Sequence, residues 1–181
     1  EGISRQVMVK HLDASFLKRI VYDLCLPIGY RWADFKFDKK KPSLGWKILY
    51  WLAYMAMFRA LRDRLGFSKV RSAMTGGAAL GPDVFRFFHA LGVNLKQIYG
   101  QTEMAGYSTI HRDGDINFDS VGIPLPAAEI VISEPDGEGV GQVISRGPGL
   151  FQGYLKNEKA SKETIVDGWL HSGDAGYFTP D

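Results

Sequence analysis

Residues 69–103 read KVRSAMTGGAALGPDVFRFFHALGVNLKQIYGQTE, and the rhythm of this stretch decides the fold class. A short strand-like run over 69–75 stops at Gly76-Gly77. Gly81-Pro82-Asp83 opens a helix that runs to Leu91, and Gly92 supplies its stop. A second strand-like run covers 94–98. Strand, turn, helix, strand is the pattern of a parallel α/β unit. Loops leaving such strands lie at the carboxyl edge of the sheet, where ligands bind. Two loops qualify: Gly76-Gly77-Ala78 and Tyr99-Gly100-Gln101-Thr102-Glu103.

Upstream, Val9, Leu12, Phe16, Ile20 and Leu24 recur at close to helical spacing, predicting a helix over 7–26 that ends at Pro27 and Gly29. Residues 31–43 are polar, carry Lys39-Lys40-Lys41 before Pro42, and read as a loop. A helix is expected over 46–65, apolar all round from 48 to 58. That apolar stretch is too short for a bilayer, which needs about 20 apolar residues. It reads first as a buried helix; the alternative, a membrane-surface contact, draws on the preceding lysines and on Arg59, Arg62 and Arg64. Downstream of about 119 the pattern turns to strands at 129–132 and 142–145, joined by Glu134-Pro135-Asp136-Gly137-Glu138-Gly139. A short helix fits 157–163, and Asp167-Gly168 turns the chain before Trp169. The expected fold class is α/β: part of a parallel or mixed sheet with flanking helices over 1–118, then a β-rich, distorted barrel-like subdomain over 119–181.

Composition sets the outer limits. A chain of 181 residues with 45% hydrophobic and 23% charged residues can bury a core. The net charge of +2 gives no bulk attraction to nucleic acid. It hides an asymmetry: 15 basic against 6 acidic residues up to Arg71, which is +9, and 7 against 14 from Ser72 onward, which is −7. Cys25 stands alone, so no intrachain disulfide forms, and one reduced thiol suits a cytoplasmic protein, at or away from a membrane surface. His11, His89, His111 and His171 show no metal spacing, and the Walker, dinucleotide and nucleophile-elbow glycine motifs are missing. Glu1-Gly2-Ile3 and Thr179-Pro180-Asp181 read as cut ends, so the chain is expected to be a piece of a longer protein.

In Tyr99-Gly100-Gln101-Thr102-Glu103 an aromatic ring can stack on a base and a glycine lets backbone approach a ligand. A hydroxyl can donate to a phosphate oxygen, and a carboxylate is a hard ligand for Mg²⁺. Equally, Thr102 and Glu103 can start a short helix as cap and first-turn acid. Gly76-Gly77-Ala78-Ala79 reads as a tight turn or as a bare wall for a flat ring or acyl chain. Asp174 is a turn aspartate or an acceptor for a ribose diol.

Taken in order, four segments resemble the adenylate-forming (AMP-binding) superfamily of acyl-CoA synthetases, luciferases and peptide-synthetase adenylation domains. They are residues 75–80, residues 99–103, residues 141–148 continuing to Gly153-Tyr154, and Trp169-Leu170-His171-Ser172-Gly173-Asp174. The resemblance is close from about 69 onward and loose over 1–67, where the polar loop and helix look like those of long-chain fatty acyl-CoA synthetases. It implies that Tyr99 stacks on adenine, within a nucleotide-binding segment that also holds Gly100 and Gln101. It implies that Thr102 touches the α-phosphate, Glu103 helps hold Mg²⁺, and Asp174 binds the ribose hydroxyls. Gly76, Gly77 and Ala78 would border adenine and the acyl group. Ala79 replaces a common proline, Ser172 a common threonine, and Gln101 stands where peptide-synthetase domains have proline.

The implied reaction turns a fatty acid and ATP into acyl-AMP, then a CoA thioester; the implied cofactors are ATP/AMP and Mg²⁺, with CoA as co-substrate. The family's phosphate loop and catalytic lysine would lie outside this stretch, which alone is expected to be inactive. An aryl or amino acid substrate, and a non-catalytic nucleotide- or lipid-binding module, are the alternatives. Peripheral membrane contact and a homodimer stay open as partners.

Overall fold

The structure, a computed structural model, describes residues 2–78 and 80–179. Ala79, named above in the glycine loop, and Glu1, Pro180 and Asp181 lie outside the described residues. The chain divides into two compact units, Glu1–Gln97 with Arg112–Phe118, and Ile98–His111 with Asp119–Asp181.

The first unit is built from helices α1 (Gly2–Leu12), α2 (Phe16–Phe37), α3 (Leu44–Ala53), a π-turn (Tyr54–Phe58), α4 (Arg59–Arg64) and α5 (Pro82–Ala90). Strand β1 (Ala73–Thr75) pairs in parallel with the start of β2 (Leu95–Tyr99), in register Ala73 to Leu95 and Thr75 to Gln97. Helix α5 connects them, with Gly81 at its N-cap and Pro82 in the first turn, so the strand–helix–strand reading of 69–98 holds. Phe85, Phe87, Phe88, Leu91 and Val93 form the heart of the core. The bidentate pair of Arg86 with Asp34, at 2.8 and 2.9 Å, fixes α5 against α2.

Two expectations fail here. The first helix is two, broken at residues 13–15, and α2 runs straight through Pro27 to Phe37, consuming half of the expected loop. An interior proline costs a helix about 3 kcal/mol. Burial of Cys25, Gly29 and Ala33 on one face of α2 offsets it. Gly29 is not a helix stop but a point of close approach: a Cβ there would lie 2.4 Å from Phe58 Cζ and 2.9 Å from Ala90 Cβ. The second failure concerns residues 48–58. Ala53 and Phe58 are buried, whereas Ile48, Leu49, Trp51, Leu52 and Met55 are exposed, because only one side of this helix meets α2. No helix among the described residues is long and apolar enough to cross a membrane.

The second unit carries two small sheets. The end of β2 pairs antiparallel with β3 (Thr109–Ile110), which pairs with β4 (Ile123–Pro124). The other sheet has the order β5 (Glu129–Ser133), β6 (Gly141–Arg146), β8 (Trp169–Gly176), β7 (Ile165–Val166), all antiparallel. Its β5 and β7 edges do not pair, so among the described residues it is an open sheet and not a closed barrel. Asp136 Oδ1 accepts from the backbone N–H of Glu138 and Val140, which makes the expected turn between β5 and β6. Helix α6 (Glu158–Thr164) is capped by Asn157 Oδ1, which accepts from Ala160 N at 3.1 Å.

Phe58 has no exposure and cannot swing aside, so added bulk at residue 29 meets a fixed wall. Gly29→Ala is therefore expected to lower stability by about 1–3 kcal/mol, against a gain of about 1 kcal/mol in helix propensity. Denaturant unfolding of the two forms checks this.

Candidate functional site

Beyond β2 the chain folds back on itself within nine residues. Tyr99 O accepts from Ser108 N at 2.7 Å, and Gln101 O accepts from Met104 N and Gly106 N at 3.0 and 3.1 Å. Ala105 enters the left-handed region at φ 55° to complete the reversal. Gly100 sits at the crossing. A Cβ there would lie 2.3 Å from Tyr107 Cα and 2.4 Å from Gly106 O, both backbone atoms that cannot yield. Residues Thr102–Met104 form a single 3₁₀ turn. Thr102 begins that turn instead of capping it; the capping position falls on Gln101, whose side chain makes no cap bond. The exposed Thr102 hydroxyl thus has no partner among the described residues.

Three residues predicted to share a function converge. Tyr99 Oη donates to Asp174 Oδ2 at 2.8 Å, and Gln101 Nε2 donates to the same oxygen and to Ser172 O, each at 3.0 Å. Asp174 comes from β8 and is exposed. Its position is set by Ser172, whose Oγ accepts from Asp174 N at 3.0 Å and donates to Val143 O at 2.5 Å. A hydroxyl at residue 172 is what this wiring needs, so serine serves as well as threonine. Because both donors use Oδ2, Asp174 Oδ1 is left as an acceptor. Burial is the main cause that pushes the Tyr99 phenol up to about 12, and the bond to Asp174 adds to it.

Glu103 is anchored at both ends by one segment. Its backbone oxygen accepts from Phe151 N at 2.8 Å, and its Oε1 accepts from Tyr154 Oη at 2.8 Å. The bond to Glu103 raises the Tyr154 phenol above the ordinary tyrosine value. Gln101, Thr102, Glu103, Tyr154, Thr164, His171 and Ser172 line a polar cleft of about 380 Å³. Tyr154, Thr164 and His171 carried no assigned role in the sequence reading. Tyr154 lies within one of the four segments, and its signal is an aromatic residue directly after Gly153. His171 Nδ1 donates to Gln142 Oε1 at 3.0 Å and His111 Nε2 to Ser120 O at 2.8 Å, consistent with packing roles. Gly76, Gly77 and Ala78 follow β1 in the first unit, with Gly77 at φ 83°.

Residues 35–155 match the family model described as AMP-binding enzyme. The chain belongs to the AMP-binding enzymes, the adenylate-forming family that includes acyl-CoA ligases. It is 37% identical to the long-chain-fatty-acid–CoA ligase heimdall of Drosophila melanogaster over 142 residues, 78% of this chain and 21% of that protein. It is 37% identical to long-chain-fatty-acid–CoA ligase 6 of Rattus norvegicus over 132 residues, 68% of this chain and 19% of that one. The chain thus spans about a fifth of the length of these curated relatives.

Among solved structures, the anthranilate CoA ligase AuaEII in complex with anthranoyl-AMP aligns with a TM-score of 0.57 at 27% identity, covering 71% of this chain and 26% of that one. A malonyl-CoA ligase ternary product complex with methylmalonyl-CoA and AMP bound aligns with a TM-score of 0.55 at 31% identity, covering 74% and 30%.

A phenol that ionises near 12 in the fold and near 10 when unfolded binds its proton more tightly in the folded protein. Its contribution is present below pH 10 and is lost as pH rises through about 12. The stability advantage of the wild type over Tyr99→Phe is therefore expected to shrink between those values. Unfolding curves taken across that range check it.

Proposed function

We propose that the intact protein is an ATP-dependent acid–thiol ligase that activates a fatty acid as acyl-AMP and transfers the acyl group to CoA. The observation that carries this reading is the convergence of Tyr99 and Gln101 on Asp174 beside a cleft bearing Thr102 and Glu103. The names of the curated relatives support the fatty-acid assignment, and the AMP and CoA products in the solved relatives support ATP and CoA as co-substrates.

Asp174 Oδ1 is available to a ribose diol, and the Tyr99 ring is the flat surface next to it. The exposed Thr102 hydroxyl, which has no partner among the described residues, can donate to an α-phosphate oxygen. Glu103 uses Oε1 on Tyr154, which leaves Oε2 for a hard cation. Among the described residues no group of three His, Cys, Asp or Glu could hold a metal by itself. One carboxylate and one hydroxyl fit Mg²⁺, which is commonly held by one or two carboxylates together with substrate phosphates. Bound there, Mg²⁺ would neutralise phosphate charge.

The chemistry asked of these residues is positioning. The acid's carboxylate attacks the α-phosphorus, pyrophosphate leaves, and the CoA thiol then displaces AMP to give the thioester. Thr102 orients the α-phosphate, and Glu103 would hold the cation that neutralises its charge.

An aryl acid is the second reading, favoured by the likeness to the anthranilate ligase. Assays of AMP release by the intact enzyme with palmitate, benzoate and anthranilate separate the two: the proposal expects palmitate to be preferred. Glu103→Ala in the intact enzyme is expected to slow adenylation by about 10²–10³, the range for losing one well-placed electrostatic group. Pyrophosphate release is the measurement, and an unchanged rate removes Glu103 from the site.

A further inference from the structure

We propose that Tyr154 is a positioning residue for Glu103, holding its carboxylate so that the second oxygen serves a metal–nucleotide complex. The inference rests on the reading of Glu103 given above. It starts from an asymmetry in how Glu103 is restrained. The residue sits in a single 3₁₀ turn, and a side chain there has several rotamers within reach. The backbone bond from Phe151 N fixes where the residue is but not where its carboxylate points. The bond that fixes the carboxylate is the one donated by Tyr154 Oη at 2.8 Å.

Tyr154 is itself fastened, which it must be to act as a fixed donor. Its backbone N–H donates to Ser161 Oγ at 2.8 Å, and its backbone oxygen accepts from Asn157 N at 3.2 Å. Ser161 Oγ donates in turn to Asn157 O at 2.8 Å inside the first turn of α6. The Phe151 ring packs edge-on against the Tyr154 ring, centroids 4.9 Å apart. Thr164, the last residue of α6, lines the same cleft as the phenol. A short helix therefore grips the tyrosine by its backbone, and the tyrosine orients the carboxylate. The phenol gives a hydrogen bond to Oε1 only, so Oε2 keeps the lone pairs that a cation needs. This arrangement places the burden of preorganisation on residues that need not touch the nucleotide.

The test uses the intact enzyme with Mn²⁺ as probe and a non-hydrolysable ATP analogue, with bound metal read by electron paramagnetic resonance. Tyr154→Phe keeps the ring contact with Phe151 and removes only the donor. It is expected to weaken Mn²⁺ binding in the ternary complex by about tenfold, the factor carried by a hydrogen bond to a charged group. The Mg²⁺ concentration for half-maximal adenylation should rise by a similar factor, with the KM for palmitate unchanged. Glu103→Gln should weaken Mn²⁺ at least as much, and the double variant should bind no worse than Glu103→Gln alone. Should Tyr154→Phe lower the melting temperature substantially, Ser161→Ala, which removes the acceptor that holds the Tyr154 backbone, carries the test, with a smaller shift in the same direction.

If Glu103→Gln binds Mn²⁺ as the wild type does, the metal role of Glu103 is wrong and Tyr154 has nothing to position. If Glu103→Gln is weakened but neither Tyr154→Phe nor Ser161→Ala is, the positioning role alone is overturned. Additive losses in the double variant also overturn it, because Tyr154 then acts without Glu103.

Discussion

Residue 100 has no room for a side chain, and the candidate site follows from that. The chain leaves β2, reverses, and lays residues 106–108 against the backbone of Gly100 at distances no Cβ would tolerate. The tight reversal gives the flanking residues separate tasks. Tyr99 and Gln101 both reach Asp174, while Glu103 reaches Tyr154. A wider turn would spread these groups over more backbone and lose their convergence. Glycine here is thus a packing requirement first, and any approach to a ligand is a second use of the same space.

Further hydrogen bonds tie this reversal to the neighbouring segments. Ser172 couples Asp174 to β6, and α6 holds the Tyr154 that holds Glu103. Each candidate carboxylate spends one oxygen on the protein and keeps the other. That division suits a site in which charge must be presented in a fixed direction, because reorganisation during reaction is what such preorganised groups avoid. Thr102 is the exception: it is exposed, and among the described residues its hydroxyl has no partner.

Local chemistry was legible wherever glycine and proline marked a boundary. Gly81-Pro82 and Gly92 bracket α5, and the turn at residues 134–139 joins β5 to β6 as read. The α2 helix was misread because the penalty of Pro27 is local while its compensation is tertiary: burial of Cys25, Gly29 and Ala33, with the Arg86–Asp34 pair 52 residues apart. The apolar run at 48–58 was misread for a related reason, since composition cannot say which side of a helix meets a neighbour. At the site, the residue types of 99–103 and Asp174 suggested a ligand, but their wiring spans 73 to 75 residues and no spacing rule contains it. Tyr154 stayed invisible as a functional residue because its partner is 51 positions away.

The central claim is that Asp174, oriented by Tyr99 and Gln101, receives the ribose of an adenylate. Calorimetry of the intact enzyme with an acyl-sulfamoyl adenosine and with its 2′,3′-dideoxy counterpart tests this most directly. The account predicts that the wild type prefers the diol by about tenfold or more, and that Asp174→Ala loses most of that preference. If Asp174→Ala discriminates between the two ligands as strongly as the wild type, Asp174 does not bind the ribose and the account is wrong.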